Sequence, residues 1–367
     1  MRVISSSEMR MKRTYCLLLL PTIVCVSFLD IYHFFPYTEV RRSNRSKPGV
    51  RTVLYYSTIF GSDALLPFGN MDVHVCSLDC QITSNRGYLS EVDTVIFHAS
   101  DNIYSETVGV PTKLQSPRWI YYNRESPAHT QWRESLLPFH ESQIDGVMSY
   151  RTGSDIYVPY GRIVEKNESE EVPVLPLKKE MKAAWFVSNC ETPSRREKLA
   201  EQLSKFMPVH NYGMCGKYSC SRANQTACDL MLERDYTFYL AFENSLCLDY
   251  VTEKVFRTLK LNVIPVVLTH PDNLKFLPNG SYIDAGSFKS VQSLAEYMQT
   301  VAKNETLYNS FFQWKSRYEA EQLFFREVWC APCHQTIIRN RTMRRDADSW
   351  KDWWFKDADC ITWPYVQ

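Results

Sequence analysis

Short apolar runs alternate with helical patterns along most of this chain, on both sides of one charged, proline-containing stretch. That alternation is the strongest constraint on the fold. A strand that feeds a helix and then another strand closes most readily into a parallel sheet. Before the stretch come Arg51–Ser57 (RTVLYYS), Asp93–Ala99 (DTVIFHA), Arg118–Asn123 (RWIYYN) and a weaker run, Gly146–Tyr150. The stretch itself, KNESEEVPVLPLKKEMK between Glu165 and Lys182, has the charge and proline content of a linker. After it, strands are expected at Ala183–Ser188, Val209–Tyr212, Asp235–Phe242 and Val263–Leu268. Helices are expected at Ser194–Met207, Tyr250–Leu259, Val291–Lys303 and Leu307–Gln322. The pattern predicts an α/β protein of two doubly wound domains, which the length of 367 residues also favours. Ligands of such sheets bind beyond the carboxyl ends of the strands, so the cleft between the two is the expected site.

The compartment follows from the N-terminus and the cysteines. Thr14–Leu29 carries no charge, and after Asp30 the apolar run continues to Phe35. Counting Asp30 and His33 as able to reach the interface, Thr14–Phe35 is long enough to span a thin membrane. A cleaved signal peptide is the rival, but Asp30, Ile31, Tyr32 and His33 offer no small-x-small cleavage site. Flanking charge hardly decides orientation: Arg10, Lys12 and Arg13 precede the run, while Arg41, Arg42, Arg45 and Lys47 follow it. Asn-x-Ser/Thr sequons at Asn44, Asn167, Asn224, Asn279, Asn304 and Asn340 all lie after it, as do ten of the twelve cysteines. Both suit an oxidising lumen on that side. The net charge of +1 argues against a nucleic-acid partner, which would demand a large basic excess.

Three clusters could carry chemistry. Glu125 follows the strand RWIYYN, and Pro127 holds Ser126 extended, so a carboxylate stands at a strand's carboxyl end, where it could act as a base or simply precede a turn. The loop Ser188–Arg196 opens a helix and could bind phosphate through backbone N–H groups, with Arg195 or Arg196 adding a bidentate contact. In Glu243–Lys254 a strand end, a polar loop and a helix start coincide, with Thr252 as a cap. There Glu253 could accept ribose hydroxyls and Lys254 could hold a diphosphate. Neither GxxxxGK[ST] nor GxGxxG occurs at this place.

The stretch FYLAFENSLCLDYVTEKVFRTLKLNVIPVVL resembles the donor-site signature FxxxFENS…DYxTEK…PVV of the α1,3-fucosyltransferases, glycosyltransferase family 10. RWIYYNRESPAHT is similar to that family's acceptor-domain motif, and SDIYVPYG and DCQIT resemble further segments, so the likeness runs from about Arg51 to Trp354. It implies the GT-B fold: two Rossmann-like domains facing a central cleft, here preceded by an N-terminal transmembrane anchor. The organisation expected is a cytosolic tail over 1–13, a signal-anchor helix over 14–35 and a stem over 36–50. An acceptor-side domain over 51–165, a linker over 166–182, a GDP-fucose-binding domain over 183–345 and a C-terminal segment over 346–367 follow. By the same resemblance Glu125 is the catalytic base and Arg196, with Arg195 its neighbour, meets the donor diphosphate. Glu253 and Lys254 match ribose and phosphate ligands, and Asn244 and Tyr250 match other donor positions. The chain departs from the family at Lys260-Leu261-Asn262 and at Cys190, where vertebrate members often carry Trp.

The resemblance further implies that Cys76 and Cys80 pair with Cys330 and Cys333, while Cys190, Cys215, Cys220, Cys228, Cys247 and Cys360 leave fifteen pairings open. The triplets Asp346–Asp348 and Asp357–Asp359 read as solvated surface acids, so no metal ligand is assigned. Trp350, Trp353, Trp354 and Trp363 could form a sugar platform, but packing of the C-terminal tail is the expectation. The function implied is inverting transfer of fucose from GDP-β-L-fucose to the 3-hydroxyl of GlcNAc in a glycan, by a single-pass Golgi membrane protein. No metal is required, though a divalent cation could stimulate, and a homodimer through stem or anchor is allowed. The alternatives are a GT-B transferase using another sugar nucleotide and an inactive glycan-binding relative.

Overall fold

The computed structural model describes residues 15–19, 22–26, 50–59, 73–77, 79–99, 111–114, 117–130, 141–178, 180–221, 224–334 and 349–363. The chain divides into two units, Met1–Arg45 and Ser46–Gln367. In the first, β1 (Tyr15–Leu19) and β2 (Thr22–Val26) form an antiparallel pair. The spanning helix expected over 14–35 is therefore not what the described part of that segment shows. Pro21 interrupts the run and Thr22, Ile23, Val24 and Val26 are β-branched, which favours strands locally. The remainder of 14–35 lies outside the described residues. Among the described residues no helix is long and apolar enough to cross a membrane.

The second unit holds the two large sheets and a two-stranded ribbon. Its first strands are β3 (Arg51–Tyr55), β4 (Val73–Ser77), β5 (Cys80–Thr83), β6 (Thr94–His98) and β7 (Arg118–Asn123). After the short α1 (Pro127–Thr130) come β8 (Gly146–Ser149), β9 (Ile156–Tyr157) and β10 (Gly161–Glu165). The seven-stranded sheet has the order β4-β5-β3-β6-β7-β8-β9, parallel except for β4. Every residue of β6 is buried, which explains why the strand reads as an unbroken apolar run: a parallel sheet is covered on both faces.

Beyond β10 come β11 (Ala183–Phe186), α2 (Arg196–Leu203), β12 (Val209–Tyr212), α3 (Gln225–Asp235) and β13 (Phe238–Phe242). Then follow α4 (Glu253–Lys260), β14 (Ile264–Leu268), β15 (Ile283–Asp284), α5 (Val291–Lys303), α6 (Glu305–Ser310), β16 (Tyr318–Gln322) and α7 (Phe325–His334). The five-stranded sheet β12-β11-β13-β14-β15 is wholly parallel. Alternate residues of its strands, such as Phe238, Leu240 and Phe242, pack with Leu199 and Leu203 of α2 and Leu294 and Met298 of α5 in one core. Two doubly wound sheets facing each other make the α/β, GT-B-like architecture expected.

Three expectations change. The helix expected over Leu307–Gln322 is α6, a 3-10 turn at Gln313–Ser316 and the strand β16. Tyr318–Gln322 pairs antiparallel with Gly161–Glu165, a partner more than 150 positions away that local periodicity cannot reveal. The linker expected over 166–182 is not free of the body: most of its described residues are exposed, but Val172, Leu175, Leu177 and Met181 are partly buried against the second core. Leu175 and the Asn309 side chain exchange two hydrogen bonds, of 2.7 and 3.0 Å. Finally α7, within the range 183–345, packs on the first sheet, where Val328 and Trp329 lie against Tyr55 and Tyr122.

The opposite face of that sheet is covered by the C-terminal segment. Trp350, Trp353 and Trp354 are buried against Phe97, Trp119 and Tyr121, and Trp363 is buried in the second core. These tryptophans pack the tail as expected. Five disulfides join all ten cysteines beyond Cys25: Cys76–Cys330, Cys80–Cys333, Cys190–Cys215, Cys220–Cys228 and Cys247–Cys360. The first two tie α7 to β4 and β5, and they are the pairing the resemblance implied.

Gly161 begins β10 where a side chain has no room. A Cβ there would stand 2.4 Å from the Phe256 ring and 2.6 Å from the Glu321 carbonyl oxygen. Gly161→Ala should therefore destabilise the chain by about 1–3 kcal/mol, read as a lower urea midpoint at unchanged m-value. Replacing Cys76 and Cys80 together by serine removes both ties of α7. The expected loss is about 2–5 kcal/mol per bridge, measured by thermal denaturation, with a Tm equal to the wild type's counting against the role of these bridges.

Candidate active site

The loops that carry the predicted residues meet where the carboxyl ends of the two sheets face each other. On the first sheet, β7 ends at Asn123, which is fully buried. Its Oδ1 accepts the Glu125 N–H at 2.9 Å, and its Nδ2 donates to Tyr121 Oη at 3.1 Å. This fixes the turn Arg124-Glu125-Ser126 before α1 begins. Ser126 Oγ then donates to Ser245 Oγ at 2.6 Å, between two buried residues on opposite halves. Glu125 is half-buried, and among the described residues no hydrogen bond or ion pair holds its carboxylate.

Four tyrosines lie within electrostatic reach of that carboxylate. Burial raises the hydroxyl pKa of Tyr122, Tyr150, Tyr160 and Tyr250, and the charge of Glu125 adds to the effect in each. The rings of Tyr150 and Tyr250 lie 5.1 Å apart and those of Tyr160 and Tyr250 6.2 Å apart, so side chains of both halves share one aromatic cluster. The Arg124 guanidinium sits 4.0 Å over the Tyr160 ring, and the Tyr160 hydroxyl donates to the Arg124 carbonyl. Arg124 also lies within electrostatic reach of Glu253. A second link between the halves is Asp249, whose Oδ2 accepts from the N–H and hydroxyl of Thr152 at 2.9 and 2.5 Å.

The second sheet contributes the cations. Arg196 opens α2 and is only 2% exposed. One of its terminal nitrogens donates to the Phe242 carbonyl at 2.7 Å and the other to that of Asn189 at 3.3 Å. Burial lowers its pKa, opposed by the charge of Glu243. Its Nε is buried without a partner, as is Oδ1 of Asn244. Unpaired buried polar atoms are costly and call for a reason; a bound polar ligand supplies one. Lys254, in the first turn of α4, donates to Thr252 Oγ1 at 2.7 Å and Glu243 Oε2 at 3.1 Å, with Glu253 Oε1 at 3.5 Å.

Glu125, Asn244, Tyr250, Glu253, Arg196 and Lys254 thus belong to one connected region. Arg195 does not join it: the residue is exposed, adopts a left-handed φ of 53° at the start of α2, and no contact ties its side chain to the others among the described residues. Thr252 stands at the expected cap position but makes no side-chain cap bond: its hydroxyl donates to Glu243 and accepts from Lys254 Nζ instead. Sequence reasoning missed the part played by Glu243, Arg124, Tyr150 and Tyr160. Only Glu243 carried a signal, as the acid between the β13 run and Asn244. Cys190, the position of departure from the family, is bonded to Cys215 and so links the loops after β11 and β12.

Among the described residues no group of three or more His, Cys, Asp or Glu could hold a metal. Asp357 and Asp359 are exposed, and Asp346–Asp348 lies outside the described residues. Cys330 and Cys333 are consumed by disulfides.

Two family models match this chain. The one for the fucosyltransferase N-terminal region covers residues 48–161, and the one for the C-terminal region of glycosyltransferase family 10 covers 176–353. Alpha-(1,3)-fucosyltransferase C of Drosophila melanogaster is 36% identical, over 84% of this chain and 78% of the fly protein. The gorilla 4-galactosyl-N-acetylglucosaminide 3-alpha-L-fucosyltransferase FUT5 is 34% identical, over 72% of this chain and 71% of its own. A crystal structure of an alpha1,3-fucosyltransferase with GDP superposes with a TM-score of 0.52, covering 82% of this chain and 93% of that one, at 17% identity, a likeness of fold. The chain belongs to glycosyltransferase family 10, the fucosyltransferases.

Proposed function

We propose that this chain transfers L-fucose from GDP-β-L-fucose to the 3-hydroxyl of a GlcNAc residue in a glycan, with inversion at the anomeric carbon. One observation carries the reading: the second sheet presents a buried Arg196 and a Lys254 side chain only 14% exposed, with Arg196 Nε and Asn244 Oδ1 left unpartnered, and a half-buried carboxylate from the first sheet lies within electrostatic reach of the shared tyrosine cluster. The half built on the seven-stranded sheet would take the acceptor, and the half built on the five-stranded sheet the donor.

The roles follow from charge. As the bond from C1 of fucose to the phosphate oxygen breaks, negative charge grows on GDP, and Arg196 and Lys254 stabilise it. As the acceptor oxygen bonds to C1, its proton passes to the Glu125 carboxylate. Glu253, its side chain 46% exposed, would accept ribose hydroxyls, while Asn244 and Tyr250 would line the donor. The names of relatives specify fucose and, for the gorilla enzyme, a galactosyl-GlcNAc acceptor. Five disulfides and exposed sequon asparagines at 167, 224, 279 and 304 support a lumenal body. From the length of the apolar run over 14–35, and not from the β1–β2 pair, we infer an N-terminal anchor in the Golgi membrane and a type II orientation.

Thermal denaturation should show stabilisation by GDP but not by UDP at equal concentration; equal shifts would favour another sugar nucleotide. Glu125→Gln should lower kcat by about 10²–10⁴-fold while the Kd for GDP, measured by calorimetry, stays within about threefold. Near-normal turnover in that variant would remove Glu125 from the role of base.

A further inference from the structure

The Glu243 carboxylate takes no part in the chemistry above, yet three donors converge on it. Oε1 accepts the Thr252 N–H at 2.7 Å, and Oε2 accepts from Thr252 Oγ1 at 2.8 Å and from Lys254 Nζ at 3.1 Å. Neither oxygen donates, which is the pattern of an ionised carboxylate. The residue is 1% exposed, so the charge is retained in a place where burial opposes it. The loop that carries it is locked on every side. The Glu243 N–H donates to the Leu268 carbonyl at the end of β14, and its own carbonyl accepts from Ser194 Oγ. The preceding carbonyl, Phe242, accepts from Arg196. One short loop therefore meets the start of α2, the end of β14 and the first turn of α4.

We propose that Glu243 is a positioning residue: it holds the Lys254 ammonium, charged and aimed, where the donor diphosphate departs. The inference rests on the reading of Lys254 as a diphosphate ligand. A carboxylate is needed because the Lys254 side chain is only 14% exposed. The groups facing it are Glu243 from the loop, Glu253 on its own helix, Arg196 from α2 and Tyr239 from β13. Burial disfavours its charge, but Glu243 and Glu253 outweigh burial and Arg196, and its pKa stands above the ordinary lysine value. The ammonium thus persists through neutral and mildly alkaline pH and is lost only higher. Without Glu243 the larger of the two supports disappears, burial gains, and the proton leaves at lower pH. The hydrogen bonds also set direction. Thr252 Oγ1 and Glu243 Oε2 orient Nζ, and the longest contact, to Glu253 at 3.5 Å, is the one a phosphate oxygen would replace.

The test is kcat/KM for GDP-fucose from about pH 7 to 10, on the full-length chain in detergent. Glu243→Gln should lower kcat about tenfold or more at neutral pH, and its rate should fall about one pH unit or more before the wild type's. In a Lys254→Arg background the same change should leave the alkaline limb in place, because a guanidinium does not deprotonate there. An alkaline limb that coincides with the wild type's, or a shift that survives in the Lys254→Arg background, would overturn the proposal. If Glu243→Gln does not fold, Glu243→Asp carries the test. It keeps the charge but withdraws it, so kcat should fall while the alkaline limb moves less than full removal of the charge would move it, and a wild-type kcat would overturn the proposal. A wild-type chain without GDP-fucose turnover would defeat the donor reading first, and this inference with it.

Discussion

A parallel sheet must be covered on both faces, and in the first half of this body the chain meets that demand with residues from its far end. Helix α7 lies on one face, with Val328 and Trp329 against Tyr55 and Tyr122. Trp350, Trp353 and Trp354 lie on the other, against Phe97, Trp119 and Tyr121. Burial of each such ring removes a large apolar area from water, and the aromatic pairs add to it. To reach both faces, the chain leaves the second half through β16, whose pairing with β10 carries it across. The two halves are thus parts of one interleaved body, and the cleft between them is bounded by contacts that neither half supplies alone.

That interleaving explains how the site holds its charges. Glu125 is supplied by the first sheet and Arg196 and Lys254 by the second, and their separation is kept without a covalent link between the loops that carry them. The Ser126–Ser245 hydrogen bond and the Asp249–Thr152 pair span the gap directly. Around them, the Tyr150, Tyr160 and Tyr250 rings fill space and exclude water, which strengthens every charge interaction nearby. Arg151, stacked over Trp353 and bonded to the Asp357 carbonyl, fastens the C-terminal segment to the same wall. The Cys247–Cys360 bond does so from the loop after β13.

Much of this was legible in the residues because the information was local. Strands buried on both faces, such as β6, β7 and β14, announce themselves as apolar runs, and the loops after them inherit their place at the sheet edge. What was not legible depends on partners far along the chain. Tyr318–Gln322 shows an ambiguous pattern until Gly161–Glu165 is set beside it. Six cysteines gave fifteen pairings until the loops carrying them were placed. Thr252 sat at its cap position in the sequence, but only the fold brings Glu243 close enough to claim its hydroxyl. That Glu125 and Lys254 stand at sheet edges follows from the runs before them; the contacts of Glu243 and Thr252 with Lys254 do not.

The bonds between Cys76 and Cys330 and between Cys80 and Cys333 impose an order of events on synthesis. A ribosome releases the first sheet's strands long before it makes their cover. Until residue 333 has emerged, β4 and β5 wait with thiols unpaired and one sheet face bare. Until the tryptophans near 350 follow, the other face waits as well. The half built on the seven-stranded sheet is therefore first to be made and last to be finished, and any shortening of the C-terminus strikes the half that lies nearer the N-terminus.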